Sequence, residues 1–197
     1  MSVPPAAALP PPLNHDGPYR ICLVCLGNIC RSPMAEVALT SELAAAGLAD
    51  AARVDSAGTG DWHIGHQMDV QARAELGRRG YDGSAHRARQ VKPSWLASRD
   101  LILAMDRHNL ADLRRMAARA GIGGDRIMLF GEAGGLPGQG EAGGQAEAVE
   151  AEGDGLDIPD PYGGDSSDFG AVLDLIEAAA RHIAAQVTEL LAGRAPA

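Results

Sequence analysis

Short apolar runs alternate along this chain with longer apolar stripes of helical spacing. Ile21 to Val24 is a continuous apolar run with the length of a buried strand. Behind it come Met34, Val37, Ala38, Leu39, Leu43 and Leu48, spaced as one face of a helix, with Gly47 as its C-terminal stop. Arg53 to Ala57 reads as a second strand, and Asp69 is placed to cap a helix through about Arg79 that Gly80 ends. Leu101 to Met105 is a third apolar strand, Asp106 opens a helix that stops at Gly121, and Ile127 to Phe130 is a fourth strand. Ser167 is expected to cap a last long helix whose stripe is Phe169, Val172, Leu173, Ile176, Ile183, Val187 and Leu190.

Strands alternating with helices predict an α/β fold, a three-layer sandwich with a central four-stranded parallel sheet flanked by helices. The loop after the first strand then lies at the carboxyl edge of the sheet, where such folds bind ligands. Two stretches depart from the pattern. Residues 1–18 are proline-rich with little to bury and are expected to form a disordered tail. Residues 131–157 are glycine-rich, acidic and almost without large apolar groups, so a flexible insertion is expected there. Residues 19–193 otherwise read as a single domain.

Composition narrows the setting. A chain of 197 residues with 46% apolar content supports one well-filled core. No apolar run approaches the roughly 18 residues that a membrane span needs, so no membrane partner is expected. The N-terminus has no basic start and no compact hydrophobic segment before a cleavage site, which points to the cytosol, although secretion by another route leaves no such trace. Cys22, Cys25 and Cys30 are the only cysteines; they make no disulfide framework and suit catalytic thiol chemistry in a reducing compartment. The net charge of −9 is uneven: residues 127–180 carry 12 acids and no Lys or Arg, against 15 basic and 13 acidic side chains over residues 1–126. That distribution argues against a nucleic-acid partner for the C-terminal third. A monomer is the expectation.

The chemistry concentrates in residues 20–36, R-I-C-L-V-C-L-G-N-I-C-R-S-P-M-A-E. A strand, a tight loop (Leu26, Gly27, Asn28, Ile29, Cys30) and a helix N-terminus turn several backbone N–H groups toward one point, which makes an anion site. Cys25 at one end of the loop supplies a nucleophile and Arg31 at the other a planar, bidentate clamp. Gly27 permits backbone geometry that other residues resist, and Asn28 tolerates a left-handed conformation. Ser32 can cap the helix or donate to the sulfur, and Pro33 suits a first helical turn. His63 and His66 form an H-x-x-H pair, too few ligands for a metal site on their own.

The string C-L-G-N-I-C-R-S-P-M-A-E closely resembles the active-site loop of the low-molecular-weight protein tyrosine phosphatases. S-A-G-T at 56–59 followed by Trp62, H-R-A-R-Q at 86–90 and D-P-Y at 160–162 recur in that family's order, so the resemblance spans about Tyr19 to Leu191. It implies a phosphatase that hydrolyses phosphotyrosine in protein substrates through a phosphocysteine, with no cofactor and no metal. Cys25 would be the nucleophile, Arg31 the clamp on the equatorial oxygens, and Asp160 the general acid. Asp157 is the local competitor for that last role, and the resemblance decides for Asp160. It further implies a bracing network of Asn28, Ser56 and His86, and slot walls from Trp62 and Tyr162 with Leu26 and Ile29. Family members often carry a second aromatic after the tyrosine; this chain has Gly163. For Cys30 the resemblance suggests a reversible disulfide with Cys25, against the plainer reading of a small loop-filling residue. Two relatives of the scaffold compete with this reading. Thioredoxin-coupled arsenate reductases need further cysteines downstream, and none follows Cys30; phosphoarginine phosphatases carry threonine where this chain has Ile29.

Overall fold

The computed structural model describes residues 8–137 and 155–193. Four strands, β1 (Tyr19–Cys25), β2 (Ala52–Gly58), β3 (Leu101–Ala104) and β4 (Ile127–Leu129), form one sheet in the order β2-β1-β3-β4, every pair parallel. The helices are α1 (Arg31–Ala45), α2 (Val70–Arg78), α3 (Pro93–Leu96), α4 (Arg107–Arg119), α5 (Phe130–Ala133) and α6 (Ser166–Ala192).

The period of two along β1 sorts its side chains into two cores. Tyr19, Ile21, Leu23 and Cys25 join Leu101, Leu103, Met105 and the inner faces of α1, α2 and α6. Cys22 and Val24 turn the other way, to Ile102, Ala104 and the apolar sides of α3 and α4. A strand covered on both faces must be apolar throughout, which is why Ile21–Val24 shows no alternation. The longest element, α6, lays Phe169, Val172, Leu173, Ile176, Ile183 and Val187 on α1 and α2, each large side chain contributing roughly 1.5–3 kcal/mol. Among the described residues no helix is long and apolar enough to cross a membrane.

Three local expectations shift. Helix α6 is capped by Asp165, not Ser167: its carboxylate accepts the Ser167 and Asp168 N–H groups, and Asp168 Oδ2 accepts the Asp165 N–H at 2.9 Å, a reciprocal capping box. The fourth strand ends at Leu129, because Phe130 turns into the short α5 and buries itself with Ala133. Of the stretch 131–157 expected as a flexible insertion, the described ends pack into the fold, Leu136 on one core and Leu156 on the other, while 138–154 lie outside the described residues.

The tail expected over 1–18 is likewise not loose in its described part. Leu9 is buried, the Tyr19 hydroxyl donates to the Pro10 carbonyl at 2.8 Å, and Arg126 Nη1 donates to the Pro11 carbonyl at 2.7 Å. Buried Asp100 needs donors, and it takes the Leu13 N–H at 2.5 Å and the Arg20 N–H at 2.6 Å. Residues 1–7 lie outside the described residues.

Candidate active site

Strand β1 delivers Cys25 to the carboxyl edge of the sheet, and residues 26–30 loop from there into α1. Neighbouring segments bond the outer side of this loop. The carbonyls of Cys25 and Leu26 accept from Thr59 N and Gly60 N, both at 2.9 Å; that of Asn28 faces His86 Nε2 at 2.8 Å, and that of Ile29 accepts from Asp69 N at 2.9 Å. A trans peptide puts N–H opposite C=O, so carbonyls drawn outward turn the loop amides inward around the sulfur. Gly58 lies so close that a Cβ there would sit 2.6 Å from the Leu26 carbonyl oxygen. No side chain caps the first turn of α1, which leaves its N–H groups for a ligand.

Asn28 holds the bend. Its φ of 56° is the left-handed conformation expected of it, and it is fully buried. Its Nδ2 donates to Ser32 Oγ at 2.9 Å and Ser56 Oγ at 2.8 Å, while Oδ1 accepts the Arg89 N–H at 2.8 Å. A carbonyl can only accept, so His86 Nε2 carries the proton toward Asn28, and His86 Nδ1 faces Glu36 Oε2 at 3.9 Å. Burial presses His86 toward its neutral form, opposed by the Asn28 carbonyl and reinforced by Arg89 and Arg87. Ser56 Oγ donates to Glu36 Oε2 at 2.5 Å; burial raises the pKa of that carboxyl in spite of this bond.

The sulfur of Cys25 receives two donors, Ser32 Oγ at 3.0 Å and the Asn28 N–H at 3.2 Å. Of the two roles open to Ser32, it takes the bond to sulfur. Arg31 is buried, with Nη1 donating to Asp106 Oδ2 at 2.6 Å and to the Ile158 carbonyl at 3.1 Å, and Nη2 to Asp160 Oδ2 at 2.6 Å. Burial alone would lower its pKa, but the charges of Cys25, Asp160 and Asp106 outweigh that and keep the guanidinium protonated. Arg31 Nε is buried without a partner among the described residues, a donor free for an oxyanion.

A cavity of about 140 Å³ opens above the sulfur. Cys25, Cys30 and Arg31 line its base, and Leu26, Gly27, Ile29, Trp62, Tyr162 and Asp160 its sides. Trp62 and Tyr162 are 58% and 62% exposed, so the slot is open at its mouth. Asp157 does not line it. All three cysteines are free thiols. Burial, with the charges of Asp69, Asp160 and Cys25, pushes the Cys30 thiol far up, and burial with Asp55 does the same to Cys22. Two groups reached the site without being anticipated. The sequence marks Asp106 only as a helix cap; its Oδ1 does cap α4 through the Asn109 N–H at 2.7 Å, while Oδ2 holds Arg31. Its position just past β3 on the ligand-binding edge was the signal. His63 forms part of the slot wall between Trp62 and Tyr162, with ring centroids 6.2 and 6.5 Å away. His63 Nδ1 lies 3.4 Å from His66 Nδ1, and among the described residues no group of three or more potential metal ligands occurs.

The geometry can bind a tetrahedral dianion, present sulfur to its centre and offer a carboxyl at the opposite end. Comparison with known proteins agrees. The sequence profile described as low molecular weight phosphotyrosine protein phosphatase matches residues 20–133 and 147–192. A "Low molecular weight protein-tyrosine-phosphatase" of Streptomyces coelicolor is 40% identical over 177 residues, covering 90% of this chain and 98% of its own. "Low molecular weight protein-tyrosine phosphatase A" of Mycobacterium tuberculosis is 38% identical, covering 91% of this chain and 98% of its own. Among solved structures, YfkJ from Bacillus subtilis superposes with a TM-score of 0.71 at 30% identity, over 88% of this chain and 96% of its own. Vibrio vulnificus Wzb in complex with benzylphosphonate does so with a TM-score of 0.66 at 28% identity, over 86% of this chain and 99% of its own.

Proposed function

The chain belongs to the low-molecular-weight protein-tyrosine-phosphatase family, and from that premise we propose that it hydrolyses phosphotyrosine in proteins with Cys25 as nucleophile, Arg31 as clamp and Asp160 as acid and base. The observation that carries this reading is the loop itself: carbonyls bonded outward, amides turned inward, and a sulfur on the axis with an arginine beside it.

An incoming phosphate dianion competes with the Asp160 carboxylate for Arg31 Nη2 and frees it to take up a proton from solvent, while Asp106 keeps its grip on Nη1. The Cys25 thiolate attacks phosphorus in line and the aryl P–O bond breaks, with Asp160 giving its proton to the departing phenolate. The loop amides and Arg31 take up the charge on the equatorial oxygens. The Asp160 carboxylate then removes a proton from water as its oxygen attacks phosphorus; the P–S bond breaks, returning the thiolate and releasing inorganic phosphate. Ser32 steadies the sulfur whenever it leaves as an anion. Every step is supplied by side chains already at the slot, so the scheme calls for no metal. The slot's aromatic walls favour an aryl ester. Neither runner-up gains support: no cysteine follows Cys30 to relay the oxidation of an arsenate reductase, and Ile29 gives the slot an apolar side. The test is parallel turnover of phosphotyrosine, phosphoserine and phosphoarginine peptides, with arsenate reduction alongside. Phosphotyrosine hydrolysis alone is expected; preferred cleavage of phosphoarginine or reduction of arsenate would overturn the assignment.

A further inference from the structure

A groove of about 600 Å³ lies between the loop that carries Asp160 and the first turns of α6, and nothing in the reaction above uses it. Asp160 and Tyr162 line both this groove and the slot, so the two are continuous around that rim. Pro159, Pro161, Ala171, Val172 and Leu175 give it an apolar bed. Gly163, with a φ of 83°, puts no side chain into its mouth, and a Cβ there would meet nothing within 4 Å. Gly164 has no Cβ to clash with the Asp168 carboxylate, which closes in on the loop from α6. The charge is one-sided, for none of the lining residues is a lysine or arginine. Asp160 is answered by Arg31. Asp168 takes the Asp165 N–H, and Asp165 takes the Ser167 and Asp168 N–H groups and the Ser167 hydroxyl, all neutral donors. On the neighbouring α2, Arg79 is engaged by Glu75, Asp174 and Glu177, and Arg73 by Gln67. The N-terminus of α6 offsets about half a charge of the two carboxylates, which leaves the groove negative.

A slot of about 140 Å³ takes little more than a phosphorylated ring, so the residues on either side of a phosphotyrosine must lie on the surface around its mouth. An extended chain advances roughly 3.3–3.6 Å per residue, and the groove begins one side chain away, at Tyr162. We propose that the groove is a substrate subsite that takes a basic side chain, arginine above all, one to three residues from the phosphotyrosine. The aliphatic stem lies on Pro159, Ala171 and Leu175 while the cation reaches Asp168. Arginine is favoured over lysine because its planar fork gives a carboxylate two donors and stacks on an exposed ring such as that of Tyr162. An acidic neighbour is turned away by the same charge. The inference rests on the phosphatase reading for what fills the slot, and adds which phosphotyrosines are chosen.

The test is kcat/KM of the full chain on phosphotyrosine peptides with an alanine background, in which arginine, leucine or glutamate occupies in turn each of the three positions on either side. A small aryl phosphate, which reaches the slot alone, is the control. Arginine on one side of the phosphotyrosine should raise kcat/KM about fivefold over alanine, through KM, and glutamate should fall below alanine. Asp168→Asn keeps an acceptor for the Asp165 N–H and loses the charge, while Ala171→Trp fills the groove from the exposed face of α6. Each should flatten the arginine preference and leave turnover of the aryl phosphate unchanged, with melting curves to confirm that both variants fold. Leucine serving as well as arginine, a flat series at every position, or a preference that survives both variants overturns the proposal. Cleavage of the aryl phosphate with a flat peptide series removes the subsite alone. Cleavage of neither the aryl phosphate nor any peptide strikes the phosphatase reading and takes the subsite with it.

Discussion

The phosphate loop and the rim of the slot stand only a few ångströms apart and are built on opposite plans. Cys25, Asn28 and Ser32 are essentially without solvent contact, and the loop is bonded by segments at 59–60, 69, 86 and 89, all distant in sequence. The rim is exposed: Trp62 and Tyr162 lie largely in solvent, and the Asp160 side chain is 42% exposed. Asp160 is held by its pair with Arg31 and by the Tyr162 N–H at 3.3 Å, a much lighter harness. The contrast separates two demands. Donors that meet developing charge must be in place before the reaction starts, whereas under the proposed mechanism the side that admits the substrate stays open and its carboxyl comes free when phosphate arrives.

Four substitutions test that division, in descending order of effect. Arg31→Lys removes the planar fork and leaves a point charge in a pocket shaped for two donors, so kcat on an aryl phosphate should fall about 10³-fold. Retention within a factor of ten would mean that the fork geometry is not what matters. Asp160→Asn should cost about 10²-fold on substrates with poor leaving groups. Good leaving groups should hardly notice it, and equal losses on both would remove Asp160 from the acid role. Asn28→Ala leaves the Arg89 N–H and the Ser56 hydroxyl short of partners at a left-handed position, so unfolding free energy should drop by about 1–3 kcal/mol together with kcat. An unchanged melting curve would show that the brace is redundant. Trp62→Ala should raise KM roughly fivefold and leave kcat alone, since an exposed wall contributes binding more than chemistry. A fall in kcat alone would place Trp62 inside the chemical step.

How far the sequence went follows the same line. The loop was legible because its parts are consecutive: an apolar strand, a glycine and an asparagine able to bend, then a helix start. Helix caps at Asp69 and Asp106 were legible for the same local reason, and both side chains accept first-turn N–H groups. What escaped depends on distance. Asp106 meets Arg31 across 75 residues, and no local pattern announces that a cap will also hold a guanidinium. His63 reaches the slot because Gly27 has no side chain; a Cβ there would come within 2.9 Å of the imidazole. Pro10 and Pro11 offered no sign of docking, since the donors and the buried acid that hold that strap, Tyr19, Arg126 and Asp100, lie elsewhere. Asp165 prevailed over Ser167 as cap because a second acid three residues on completes the reciprocal bond.

The central claim is that phosphorus passes through sulfur at the base of this loop. Acid quenching of the Asp160→Asn enzyme during turnover of an aryl phosphate with a good leaving group, followed by peptide mapping, addresses it directly, because slowed hydrolysis lets the intermediate accumulate. The account predicts covalent phosphate on the peptide bearing Cys25 and nowhere else. Phosphate carried by His63 or His66, or product release with no phosphorylated peptide at any time point, would contradict it.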